Sequence, residues 1–145
     1  MTKILVIDDE RHIRELYSLE LTNDGYSVDC RASCANLLSA MEHSKPDLIV
    51  LDIRLVDSDG LEVLLQLREN HPDLPVIMCS AYDSYRYDVR AMAADAYVVK
   101  SFDLSELKLK VQRALEGRTL ESPTLLPRPN DTRNGNGQNA SNATI

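Results

Sequence analysis

Leu48-Ile49-Val50-Leu51-Asp52 decides the fold. Four apolar residues run without alternation and stop at a carboxylate. A strand covered on one face alternates apolar and polar side chains. A strand in a parallel sheet packed between helices is apolar throughout. Working outward, the signature recurs. Ile4-Leu5-Val6-Ile7 runs into Asp8, Asp9 and Glu10. Val76-Ile77-Met78-Cys79 runs into Ser80, and Ala96-Tyr97-Val98-Val99 into Lys100. A weaker stretch, Tyr26 to Cys30, alternates and reads as an edge strand.

Helical patterns fill the gaps. Ile13, Leu16, Tyr17 and Leu21 form one stripe; Cys34, Leu37, Leu38 and Met41 form a second. Leu61, Leu64 and Leu65 begin a third, and Tyr85, Val89, Met92 and Ala96 make a weaker fourth. Leu104, Leu107, Val111 and Leu115 make a fifth, with Asp103 as its expected N-cap and Glu106 three residues on. Five strands alternating with five helices predict right-handed βα units and a sheet with helices on both faces.

The chain has 145 residues, enough for one domain that needs no staples. After Gly117 the composition turns to Pro, Gly, Asn, Ser and Thr. The expected division is a folded domain over 1–118 and a disordered polar tail over 119–145, too poor in apolar residues to offset its ordering entropy. Acids outnumber bases 23 to 16, for a net charge of −7. Such a chain lacks the basic face that nucleic-acid backbones require, so no nucleic-acid partner is expected. No apolar run approaches the roughly 20 residues of a membrane span, and the N-terminal apolar stretch is too short for a signal peptide. A cytoplasmic chain with no membrane contact is expected. Cys30, Cys34 and Cys79 lack metal-ligand spacing and read as small buried hydrophobes.

Each strong strand ends in a polar group: Asp8 and Asp9, Asp52, Ser80, Lys100. Singly, each reads as a helix cap or a solvated side chain. Together they point to one site, because open parallel sheets bind ligands at the carboxyl ends of their strands. Three crowded carboxylates repel one another, and a hard divalent cation relieves this. Oxygen-only ligands suit Mg²⁺. One carboxylate left outward can attack phosphorus, while the metal, Lys100 and Ser80 hold the phosphoryl oxygens.

These residues bear a resemblance to a known family. Val6-Ile7-Asp8-Asp9-Glu10, Leu48 to Leu55 with Asp59-Gly60-Leu61, Cys79-Ser80-Ala81 and Tyr97-Val98-Val99-Lys100 resemble, in order, the receiver domain of two-component response regulators. The likeness covers about Lys3 to Gly117. It implies a flavodoxin-like α/β fold with a five-stranded parallel sheet of order 2-1-3-4-5. It implies a phosphorylation-dependent signalling switch, a single-domain response regulator rather than an enzyme, that promotes its own phosphorylation and dephosphorylation.

The resemblance also implies the roles. Asp52 accepts a phosphoryl group from a phosphohistidine of a sensor histidine kinase or a histidine phosphotransfer protein. Asp9, Asp52 and the Arg54 backbone carbonyl bind Mg²⁺ directly, and Asp8 acts through a coordinated water. Lys100 pairs with a phosphoryl oxygen, Ser80 moves toward the phosphoryl group, and Tyr97 is the aromatic switch that turns inward with it. A downstream protein partner reads the change.

The sequence departs from the family at Ser101, where proline, often after a cis bond, is usual. A cis bond before serine costs about 3 kcal/mol. Val56 stands where the loop often has proline, and Asp95 where glycine is usual. Tyr82, Tyr85, Tyr87 and Tyr97 gather on the expected output side. The alternative reading is a phosphorylation-independent receiver-like interaction module; its weakness is that all five active-site positions carry usable side chains. A metal-dependent aspartyl phosphatase is disfavoured because Arg54, not an acid, follows Asp52 by two residues.

Overall fold

A computed structural model describes residues 1–120. The expectation of a disordered tail falls almost wholly on 121–145, outside the described residues.

The apolar runs form β1 (Lys3–Ile7), β3 (Leu48–Asp52), β4 (Val76–Ser80) and β5 (Ala96–Val99), and the alternating stretch forms β2 (Ser27–Arg31). The helices are α1 (Arg11–Asn23), α2 (Leu37–Ser44), α3 (Gly60–Asn70) and α4 (Ser105–Leu120). All strand pairs are parallel, in the order β2-β1-β3-β4-β5. The only partly buried β2 lies at one edge.

Why the runs do not alternate is visible in the packing. Successive side chains point to opposite faces, and both faces carry a core. Leu5, Ile7, Ile49, Leu51 and Met78 pack against Leu37 and Met41 of α2 and Leu61, Leu64 and Leu67 of α3. Ile4, Val6, Val50, Ile77 and Val98 pack against Tyr17 and Leu21 of α1, Leu107 and Val111 of α4, and Leu104 just before it. Leu38 and Leu65, counted in the helical stripes, stay substantially exposed.

Two expectations are corrected. The fourth stripe is not an α-helix: Asp83–Tyr87 and Val89–Ala93 are two separate 3₁₀ segments. Asp88 sits between them in an extended conformation, its carboxylate accepting the Arg90 N–H at 2.9 Å, which ends one segment and starts the next. Val89 and Met92 point to solvent, so the helical spacing buried nothing there. The second correction is Cys30, which is exposed on the edge strand, whereas Cys79 is buried and Cys34 half-buried. All three thiols are free.

α3 starts under tight constraint. Asp59 caps it, its carboxylate accepting the Leu61 N–H at 2.9 Å. A Cβ on Gly60 would lie 2.3 Å from the Asp52 carbonyl oxygen and 2.7 Å from Ile53 Cα, so only glycine lets this turn press against the end of β3. At α4, Asp103 takes the Ser105 N–H at 2.9 Å, in line with its expected capping role.

Candidate functional site

The sheet order makes a switch point between β1 and β3, because the chain leaves β1 toward β2 and returns on the other side. Ligands of open α/β sheets bind at the carboxyl end of that seam. The register brings the strand ends level there: Ile7 pairs with Leu51, Asp52 with Cys79 and Ser80 with Val99. Asp8, Asp52, Ser80 and Lys100 therefore stand at one end of the sheet, from four strands.

Asp8 and Asp52 are only 2% and 5% exposed, so their charges need partners inside the protein. Lys100 supplies one. Its Nζ lies 2.7 Å from Asp8, 3.4 Å from Asp52 and 3.5 Å from Glu10. Burial alone would lower the Lys100 pKa, but the hydrogen bond to Asp8 and the charges of Asp52, Asp8 and Glu10 raise it above the ordinary value. Asp52 moves the other way for an acid. Burial and the Asp8 charge raise it to about 6, against the pull of Lys100 and the Arg54 N–H. That N–H sits 3.4 Å from Asp52 Oδ1. All peptide bonds among the described residues are trans, Lys100–Ser101 included, and the lysine still reaches both carboxylates.

Asp8, Asp9 and Asp52 each present an oxygen within 4.8 Å of the others. Two are buried and one is half-buried. A compact set of hard oxygen donors, with more carboxylates than the single Lys100 ammonium balances, fits a divalent cation of the Mg²⁺ type.

Ser80 is buried at the end of β4, and its hydroxyl accepts the Tyr82 N–H at 3.0 Å. The Tyr97 ring is buried against the α2–α3 core, and its hydroxyl donates to the Tyr82 carbonyl. Burial raises the Tyr97 pKa, opposed by its hydrogen bond with Ser80. The Arg86 guanidinium lies over the Tyr97 ring, 4.9 Å from its centroid. Tyr97 is thus already turned inward while Ser80 remains bonded to the loop. Arg54 is exposed, with its guanidinium 5.7 Å from the centre of the Tyr82 ring.

The structure therefore gathers Asp8, Asp9, Asp52 and Lys100 into one pocket, with Ser80 at the adjoining strand end and Tyr97 beside it. Sequence reasoning missed Arg86 over Tyr97 and the hydroxyl of Tyr17, buried beneath the pocket and hydrogen-bonded to Cys79. Neither carried a signal: long side chains from other elements meet these positions only in three dimensions.

A family model described as the response regulator receiver domain matches residues 4–112. Regulatory protein AtoC of Escherichia coli is 33% identical over 123 residues, 83% of this chain and 27% of that protein. Response regulator MprA of Mycobacterium avium is 40% identical over 119 residues, 81% of this chain and 52% of that protein. The chain spans about half or less of the length of these curated relatives. Among solved structures, response regulator TrrA of Thermotoga maritima in complex with Mg²⁺-BeF is 43% identical, with a TM-score of 0.76, over 79% of this chain and all of that one. TrrA in complex with the histidine kinase ThkA matches with a TM-score of 0.74, again 43% identical, over 79% of this chain and 99% of that one.

Proposed function

The chain belongs to the response regulator receiver domain family, and from that premise we propose a phosphorelay switch in which Asp52 is the phosphoacceptor. One observation carries this assignment: Asp52 is buried with Asp8, yet both share the Lys100 ammonium at the switch point of the sheet. Such a carboxylate is held in place, partly neutralised and open to attack on an incoming phosphorus.

In the transfer, an Asp52 carboxylate oxygen forms a bond to phosphorus while the P–N bond of a phosphohistidine breaks. The electron pair returns to the donor's imidazole. Asp52 must be ionised to attack, which its value of about 6 permits at neutral pH. Lys100 turns from the carboxylates to a phosphoryl oxygen, and the Ser80 hydroxyl leaves the Tyr82 N–H to donate to another. Asp8, Asp9 and Asp52, with the Arg54 carbonyl, would hold Mg²⁺, which supplies charge neutralisation for the phosphoryl oxygens. The chain is a signalling module rather than a conventional enzyme, and its promotion of its own phosphorylation and dephosphorylation belongs to the proposal.

TrrA's complex with a histidine kinase supports a kinase or phosphotransfer protein as the donor. A protein partner would read the shifted loop. The acidic excess opposes nucleic-acid contact by these residues. No helix among the described residues is long and apolar enough to cross a membrane, which fits a cytoplasmic setting.

The test is intact-mass spectrometry after incubation with Mg²⁺ and acetyl phosphate or phosphoramidate. Wild type gains one phosphoryl mass and Asp52→Asn gains none. Stoichiometric labelling of Asp52→Asn would move the acceptor elsewhere. No labelling of either would favour a phosphorylation-independent interaction module.

A further inference from the structure

Arg90 is the second residue of the second 3₁₀ segment, yet most of its partners belong to other elements. Its Nη1 lies 3.2 Å from Asp59, the N-cap of α3, and 2.5 Å from Glu62 in the first turn. Its Nε and Nη2 form a two-pronged bond to Asp88 at 3.1 and 2.9 Å. One guanidinium therefore gathers three carboxylates and ties the 3₁₀ segment to the start of α3. A rigid planar fork grips one carboxylate through two nitrogens while a third N–H group reaches others, which a lysine ammonium with its single nitrogen cannot do.

The far end of this tie reaches the phosphoacceptor. Asp59 caps α3 and pairs with Arg54 across the loop that follows Asp52. Gly60 next to it donates to the Ile53 carbonyl at 2.7 Å and leaves no space for a Cβ against the Asp52 carbonyl. The backbone of Asp52 and Ile53 is close-packed against the Gly60 turn, and Asp59 precedes Gly60 directly, so a displacement of one is passed to the next. At the near end, Ala91 packs into the core and the Ala93 carbonyl accepts the Arg68 Nε–H at 2.7 Å, while the Val89 end has no such anchor among the described residues besides the Arg90 cluster. Among Val89 to Ala93 only Ala91 is buried, and Val89 and Met92 are exposed. A segment with little burial is easily moved, and the Arg90 ion pairs hold its Val89 end.

We propose that Arg90 is a coupling residue: it transmits the change at phosphorylated Asp52, through Asp59 and the first turn of α3, to the 3₁₀ segment at Val89–Ala93. This inference rests on Asp52 being the phosphoacceptor. Arg90 touches neither Asp52 nor the acidic pocket. Its removal should leave acceptance of the phosphoryl group intact and disconnect the response.

The experiment is hydrogen–deuterium exchange of the full chain with and without Mg²⁺ and beryllofluoride, comparing wild type, Arg90→Gln and Arg90→Lys. Wild type should change its exchange across residues 83–93 when beryllofluoride binds. Arg90→Gln should bind beryllofluoride with wild-type affinity, but its change in that segment should shrink by about threefold or more, with Arg90→Lys restoring little of it. Should Arg90→Gln fail to fold, Glu62→Gln removes one exposed arm of the cluster and should show a smaller loss in the same direction. An undiminished response in a folded Arg90→Gln chain, or no response of the segment in a wild type that binds beryllofluoride, overturns the coupling role alone. Failure of wild type to bind beryllofluoride overturns the phosphoacceptor assignment, and the coupling with it.

Discussion

At Asp52, burial and the Asp8 charge outweigh Lys100, and the carboxyl titrates near 6 instead of its ordinary 3.8. Folding thus favours its neutral form. A raised acid contributes stability that is fully present below 3.8 and lost as pH rises through about 6, here worth about 3 kcal/mol. In buffer with a chelator, Asp52→Asn should therefore melt above wild type at pH 7.5. The gap should close between about pH 6 and pH 4, as wild type takes up its proton. Thermal melts across that range check it; a gap independent of pH would place the strain elsewhere. The carboxylates, hydroxyl and ammonium were legible in the sequence because each follows an apolar run directly, and strand ends are where such a sheet keeps its chemistry. Arg86 and Arg90 were not, because a long side chain in a segment of unclear structure does not announce its partner.

The turn from β3 into α3 shows what local sequence can fix. Asp59-Gly60 gives a cap and a residue without a Cβ, and the structure uses both. Gly60→Ala should destabilise the fold by about 1–3 kcal/mol, since its methyl group meets backbone that cannot swing away. It should also slow phosphoryl labelling, because the Asp52 peptide has to give. Urea denaturation and the mass assay measure the two effects, and an unaffected midpoint would contradict the close packing. The segment from Tyr85 to Ala96 shows the opposite case. Its spacing matched a helix, but periodicity reports a helix only when the stripe has a core to face. Val89 and Met92 have none, and Asp88 offers its carboxylate to a nearby N–H and breaks the run.

Across the whole molecule, apolar runs disclosed a parallel sheet covered on both faces, and the resemblance supplied the order of its strands. Runs say how deeply a strand is buried and nothing about which neighbour it pairs with. Once the order is set, β1 and β3 enclose the acidic pocket, which exists only in the folded chain. Mg²⁺ should therefore raise the melting temperature, by the equivalent of about 2.7 kcal/mol at a hundred times its Kd. Asp9→Asn should reduce that shift while leaving the metal-free melt little changed. Calorimetry with and without metal decides, and no shift at millimolar Mg²⁺ would remove the metal from the account.

Lys100, set between Asp8 and Asp52, makes the resting pocket an ion exchanger. The ammonium already serves as counter-ion to two buried carboxylates, so a divalent ion held by Asp8, Asp9 and Asp52 would compete with it for the same oxygens. That competition would weaken the metal's grip by whatever the lysine contacts are worth, and the ammonium would remain within reach of a phosphoryl oxygen. Lys100→Met should therefore bind Mg²⁺ more tightly than wild type in a calorimetric titration, yet accept phosphate more slowly. On the proposed function, the same positive charge would serve the pocket twice, first against its carboxylates and then against a phosphoryl group.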